Sequence, residues 1–169
     1  MSETAEYGQA CQLKRILCEV ARRGDGNFTG TSVVVCDSVS SLSHCGLAEG
    51  WPIVAEAGLG DNLLAMAHSD SPYHDGFHLL TSAFDFLKVA CYLAPQIPDG
   101  APLVSFAGRG SRFSTAYFTS LLPSVMCVGI VGHRREVTVF RQGHVLAHPD
   151  GPLAVPTGLP SRNLVSLPS

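Results

Sequence analysis

The sequence predicts a single α/β (α+β) domain in which a mixed, twisted central sheet is flanked by helices. Three observations lead there. Residues 3–23 carry apolar side chains at helical spacing, with polar residues on the other face. Two runs, Thr31–Cys36 and Val125–Val131, are apolar without alternation, as strands buried on both faces are. The remaining apolar segments are short and separated by turn residues. The length, 169 residues, fits one domain of roughly 100–200 residues.

The helix over 3–23 places Leu13, Ile16, Leu17, Val20 and Ala21 on one face and ends at Gly24 and Gly26. After the strand Thr31–Cys36, residues 38–51 are rich in Ser and Gly and read as loop. Residues 51–57 read as an edge strand or extended segment. Gly60-Asp61-Asn62 offers a cap for a short helix over 63–68. A polar turn over 69–76 leads into two apolar runs, 77–80 and 84–93, which Thr81-Ser82-Ala83 joins as a hairpin. Three prolines make 95–102 a loop, and 103–107 is a short strand. A helix over 113–122 stops before Pro123. Val125–Val131 is the most apolar strand, His133-Arg134-Arg135 a turn, and 136–140 a strand of half-buried alternation. A turn at Arg141-Gln142-Gly143 gives a last strand over 144–147. The stretch after Pro149 is Pro-rich and reads as an irregular tail, so the domain spans 1–150 and the tail 151–169.

Composition narrows the function. Apolar residues make up 46% and charged residues 15%, against about 25% charged in ordinary soluble domains. Disorder is thereby excluded for most of the chain. No apolar run reaches the ~18 residues of a spanning helix, and the polar N-terminus lacks a signal-peptide pattern. No membrane partner and a cytoplasmic location are expected. The net charge of −3 argues against a DNA-binding face. The six cysteines include no CxxC pair, so reduced thiols rather than a zinc site are expected.

Three polar islands carry candidate chemistry. In Ser71-Pro72-Tyr73-His74-Asp75-Gly76, an Asp-Gly pair puts a carboxylate at a sharp bend, where it can hold a divalent cation or orient a hydroxyl. The same pair is also a common plain turn. In Gly108-Arg109-Gly110-Ser111-Arg112-Phe113-Ser114-Thr115, glycines, hydroxyls and two arginines precede a helix. That fits an anion site as well as it fits a helix cap with surface arginines. Gly132-His133-Arg134-Arg135 is a basic turn that either faces solvent or adds positive charge beside a phosphate. No Walker motif, nucleophile elbow or HExxH is present, and the glycines near 24–30 do not follow a strand, as a Rossmann fingerprint would.

Taken in order, these islands resemble the diadenylate cyclase domain, the nucleotidyltransferase domain of DisA- and CdaA-type proteins. Ser71-Pro72-Tyr73-His74-Asp75-Gly76 matches its Ser-Pro-x-His-Asp-Gly-Ala segment, with Phe77 in place of the alanine. Gly110-Ser111-Arg112-Phe113-Ser114-Thr115-Ala116 stands where the family has Gly-Thr-Arg-His-Arg-Ala-Ala. The resemblance covers roughly residues 10–148. It implies a DisA N-terminal-like fold and a nucleotide site formed by His74, Asp75, Gly76, Phe77, Ser111, Arg112, Ser114, Thr115 and His133. Asp75 is the implied metal ligand and, in an active enzyme, the catalytic residue that positions the attacking 3′-hydroxyl.

The departures from the family shape the expected function. Arg112 keeps the first arginine, Phe113 replaces the histidine and Ser114 the second arginine. The acidic residue after the penultimate strand is missing, Gly132-His133-Arg134 standing there. Serine cannot replace a bidentate guanidinium contact to phosphate, and one lost transition-state donor costs ~10²–10³ in rate. The expectation is therefore a nucleotide sensor, weak or inactive in catalysis, for ATP or a cyclic dinucleotide, with Phe77 lining the pocket or turned into the core. Such a sensor needs a separate effector protein. The alternatives are an active diadenylate cyclase, using Mg²⁺ or Mn²⁺ in a face-to-face homodimer to join two ATP into cyclic di-AMP, and a protein-interaction module that kept the fold without the pocket.

Overall fold

The computed structural model describes residues 3–97, 99, 106, 108–146 and 153–154. The elements run α1 (Glu3–Arg23), β1 (Thr31–Cys36), a 3-10 turn (Val39–Ser41), β2 (His44–Gly46), α2 (Leu59–Met66), β3 (Phe77–Leu80), β4 (Phe86–Leu93), α3 (Gly110–Thr119), β5 (Val125–Val131), β6 (Val137–Arg141), β7 (His144–Leu146) and β8 (Leu153–Ala154). The strands form one mixed sheet in the order β2-β4-β3-β1-β5-β6-β7-β8. β1 pairs parallel with β3 and antiparallel with β5. The predicted mixed sheet flanked by helices is the architecture found.

β1 and β5 are buried along their whole length because each has a layer on both faces. On one face, Leu13, Leu17 and Val20 of α1 and Leu63 of α2 pack with Val33, Val35, Leu80 and Val139. On the other, Phe113, Ala116 and Tyr117 of α3 pack with Val34, Leu79, Val128, Ile130 and Phe140. This two-sided burial removes any in-out alternation from Thr31–Cys36. α1 seats on β5 over Gly129, where an added side chain would collide with the tips of Leu13 and Leu17. Among the described residues, no helix is long and apolar enough to cross a membrane.

Several boundaries differ from the sequence reading. The Ser- and Gly-rich stretch 38–51 contains the 3-10 turn and β2, which adds to the edge of the sheet by pairing His44 with Leu93 and Cys45 with Tyr92. Residues 51–57 form no strand. The buried side chain of Asn62 holds them instead, accepting from the Val54 amide at 2.9 Å and donating to the carbonyls of Val54 and Ala57, both at 3.1 Å. Asn62 is therefore inside α2 rather than at its cap. The helix starts earlier, after Gly58, and ends at Met66 rather than at His68.

α3 likewise starts three residues before the expected position and finishes at Thr119, its last turn tightening through 121 and 122 before Pro123. β4 begins at Phe86 because the Thr81 hydroxyl accepts from the Ala83 and Asp85 amides, and Phe84 adopts a φ of 67°. The strand expected over 103–107 lies outside the described residues except for Phe106, which is in no strand. Within the stretch read as an irregular tail, Leu153–Ala154 pairs with β7 as an eighth strand.

The close seating of α1 can be tested. Gly129→Val overpacks a fully buried contact and is expected to cost about 1–3 kcal/mol of unfolding free energy, read from the urea midpoint.

Candidate functional site

Topology brings the sequence islands together. β1 and β3 run parallel, so the residues leading into both lie at one end of the sheet, where the antiparallel β5 finishes. Gly30 leads into β1, Asp75-Gly76 into β3, and Gly132–Glu136 connects β5 to β6. The first turn of α3 lies against this same end.

In the turn before β3, the Ser71 carbonyl accepts from the His74 amide at 3.3 Å and from His74 Nδ1 at 2.6 Å. That fixes the ring orientation and leaves Nε2 facing Asp75 Oδ2 at 3.6 Å. The other oxygen, Oδ1, stands 3.8 Å from Nη2 of Arg112. The first and second islands therefore meet through Asp75 and Arg112. Gly76 has a φ of 83°, and a Cβ there would sit 2.6 Å from the Cys91 carbonyl oxygen, so glycine is needed for the bend. Gly30 is constrained as well. Its φ is 100°, and a Cβ would press on the Val131 carbonyl and come within 2.9 Å of Arg112 Nη1. The missing side chain at Gly30 is the space through which the Arg112 guanidinium reaches Asp75.

A cleft of about 620 Å³ opens between the start of α3 and the β5–β6 turn. Its α3 wall is Gly108, Arg109, Gly110, Ser111, Arg112 and Phe113. The opposite wall is Gly132, His133, Arg134 and Glu136, with Thr29, Ile130 and Thr138 completing the lining. Clefts of ~300–1,000 Å³ accommodate small-molecule ligands. Among the described residues no side chain caps the N-terminus of α3, and a helix start leaves its first amides without intrahelical partners. Three arginines against one glutamate give the cleft an excess of positive charge.

Of the residues expected at a nucleotide site, Ser111, Arg112 and His133 line this cleft. His74 and Asp75 adjoin it through the contact to Arg112. Gly76 contributes backbone shape. Phe77 is turned into the core beside Leu79 and Phe113, as one of its two readings had it. Ser114 and Thr115 are half-buried outside the lining, and the Ser114 hydroxyl donates back to the Gly110 carbonyl at 3.4 Å. Arg109 and Arg134, the positive charge of the second and third islands, line the cleft although the family resemblance did not name them, and Glu136 lines it without having been expected.

Glu136 alters the reading that no acid follows the penultimate strand. The turn closes with the Gly132 amide donating to the Glu136 carbonyl at 3.0 Å, which sets the two residues opposite each other. The Glu136 carboxylate then packs against Gly132, inside the cleft. A four-residue hairpin spacing was the available signal. Arg135 points away, donating to the Asp25 carbonyl at 3.1 Å.

Beneath the site lies His78, almost fully buried, whose Nδ1 accepts from the Ala90 amide at 3.3 Å. Burial, and then the nearby charge of Arg112, lower its pKa to about 4. Among the described residues, no three His, Cys, Asp or Glu side chains form a metal-holding group. Asp75 offers a single carboxylate, which suits Mg²⁺ only where a ligand's phosphates complete its shell.

No family model and no curated protein matches the chain. Among solved structures, the chain is similar to a double mutant of DacA from Staphylococcus aureus, at 17% identity over 86% of this chain and 87% of that one, with a TM-score of 0.53. The chain has a DacA-like fold. At that identity the likeness speaks for the fold, and the site must be argued from its own residues.

Two outcomes test this geometry. Gly30→Ala combines a positive φ with a collision and is expected to cost on the order of 1–3 kcal/mol in unfolding free energy. His78 is neutral in the folded chain and becomes charged near its ordinary value once unfolded. The unfolded state therefore binds the extra proton, and stability falls as pH drops from about 6.5 toward about 4, by at most ~1.4 kcal/mol per pH unit. His78→Asn keeps an acceptor for Ala90 and is expected to remove that part of the pH dependence in urea titrations.

Proposed function

We propose that the cleft binds a nucleotide through its phosphates and that the chain is a nucleotide sensor with little or no turnover. The observation that carries this is Arg112, set between Gly30 and Asp75 at the uncapped start of α3 and facing the cleft. A guanidinium at a helix N-terminus favours a phosphate group. The DacA-like fold supports a nucleotide as the ligand, DacA being a diadenylate cyclase. Weak turnover follows from Ser114, which lies outside the lining and brings no charge to it.

A second reading, an active cyclase joining two ATP into cyclic di-AMP, is favoured by the persistence of Asp75 beside Arg112 and by Glu136 in the cleft. In that reading Asp75 would hold Mg²⁺ or Mn²⁺ together with the phosphates, and two protomers would face each other. In the sensor reading, a separate effector protein responds to the bound state.

Incubation with ATP and Mn²⁺, followed by mass spectrometry, separates the two readings. The sensor yields no cyclic di-AMP, whereas product that vanishes in Asp75→Asn establishes the enzyme. A thermal-shift scan with ATP and cyclic dinucleotides is expected to give stabilisation by one of them. Arg112→Ala is expected to weaken that binding by at least about tenfold, as loss of a charge-assisted contact does. Wild-type binding in Arg112→Ala would remove Arg112 from the site, and no stabilisation of the wild-type chain by any of these nucleotides would leave it as a protein-interaction module.

A further inference from the structure

The second arginine of the family's phosphate grip has no counterpart at Ser114, yet a second guanidinium does face the cleft. Arg109 is the N-cap residue of α3 and lines the same wall as Arg112, three residues on. Its guanidinium carbon lies 5.0 Å from the centroid of the Phe113 ring. Phe113 stands where the family has histidine. Its ring is buried and wedged edge-to-face against Phe140 at 4.9 Å and Phe106 at 5.5 Å. Arg109 and Phe113 are four residues apart, one helical turn, so an arginine at the cap rests naturally on the ring below it.

We infer that Arg109 is the second phosphate-binding residue of this cleft and that Phe113 is its positioning residue, the two together replacing the missing arginine. This inference rests on the reading of the cleft as a nucleotide phosphate site. An exposed arginine ordinarily loses rotamer freedom when it grips a ligand. A ring fixed in the core holds the planar guanidinium beforehand and reduces that loss, while stacking leaves the N–H edges free to bond phosphate oxygens. The two arginines, one leaning on Asp75 and one on Phe113, form a pair suited to a chain of two or more phosphates. Phe113 is thus a working substitution and not a loss of function at that position.

The test is calorimetric titration of the full chain with ATP and, separately, with inorganic tripolyphosphate. Arg109→Ala is expected to weaken both by about tenfold. Arg109→Lys keeps the charge and loses the flat face, and is expected to weaken them severalfold. Phe113→Leu is expected to weaken binding severalfold in the otherwise unchanged chain and to have no further effect in Arg109→Ala, because the ring acts through that arginine. Wild-type affinity in Arg109→Ala overturns the assignment of Arg109. Wild-type affinity in Arg109→Lys, or an undiminished Phe113→Leu effect in the Arg109→Ala background, overturns the role of the ring. Both leave the phosphate-site reading intact provided Arg112→Ala weakens binding by at least about tenfold. A wild-type chain that binds neither probe overturns that reading and this inference with it.

Discussion

The parallel pairing of β1 with β3 is the constraint on which the site depends. A parallel pair sets two chain segments, distant in sequence, side by side at one end of the sheet. Here those segments are Gly30 and Asp75-Gly76. With β5 antiparallel to β1, the β5–β6 turn reaches the same end. Two glycines with positive φ keep the approach open, one beside the Arg112 guanidinium and one beneath the Cys91 carbonyl. Pairing β1 and β3 antiparallel would send Asp75 to the opposite end of the sheet, and Arg112 would face Gly30 with no carboxylate beside it.

Much of this was legible in the chain. α1, β1, β5 and the β3–β4 hairpin follow from helical spacing, unbroken β-branched runs and a short polar turn, because each buries enough apolar area to override its context. β2 was not legible, since His44-Cys45-Gly46 has no strand-like character of its own and pairs because β4 offers an open edge. The start of α2 was misread because Asn62 resembles a capping residue, while its amide is taken up by the neighbouring segment. Local preference fails where a partner from elsewhere decides the outcome.

The same distinction holds within the site. The Asp-Gly bend and the Gly-Arg-Gly-Ser-Arg stretch announce themselves by composition, but their meeting through Asp75 and Arg112 is a property of the sheet. Ser114 and Thr115 share a motif with Arg112 yet lie outside the cleft, because the opening is bordered by the first turn of α3, Gly110 to Phe113, and they stand beyond it. Glu136 enters through a hairpin register and Arg109 through a ring four residues away. Neither relation is visible to a motif read as consecutive letters.

The tethering of residues 51–57 by Asn62 has a consequence for how the molecule breathes. A segment secured by one side chain instead of a strand ladder opens without the sheet opening, so its amides exchange with solvent water at a free energy well below that of β1 or β5. Trp51 and Val54 are already more than half exposed, and the half-buried Ile53 is the large apolar side chain of this segment that packs against the core. The Glu49 carbonyl accepts from the Tyr73 hydroxyl at 2.6 Å, which links the neighbouring stretch to the turn that carries Asp75. The carboxylate side of the site thus borders a segment held by few bonds, while the arginine side rests on an aromatic core. A ligand closing on this cleft meets one firm wall and one yielding shoulder.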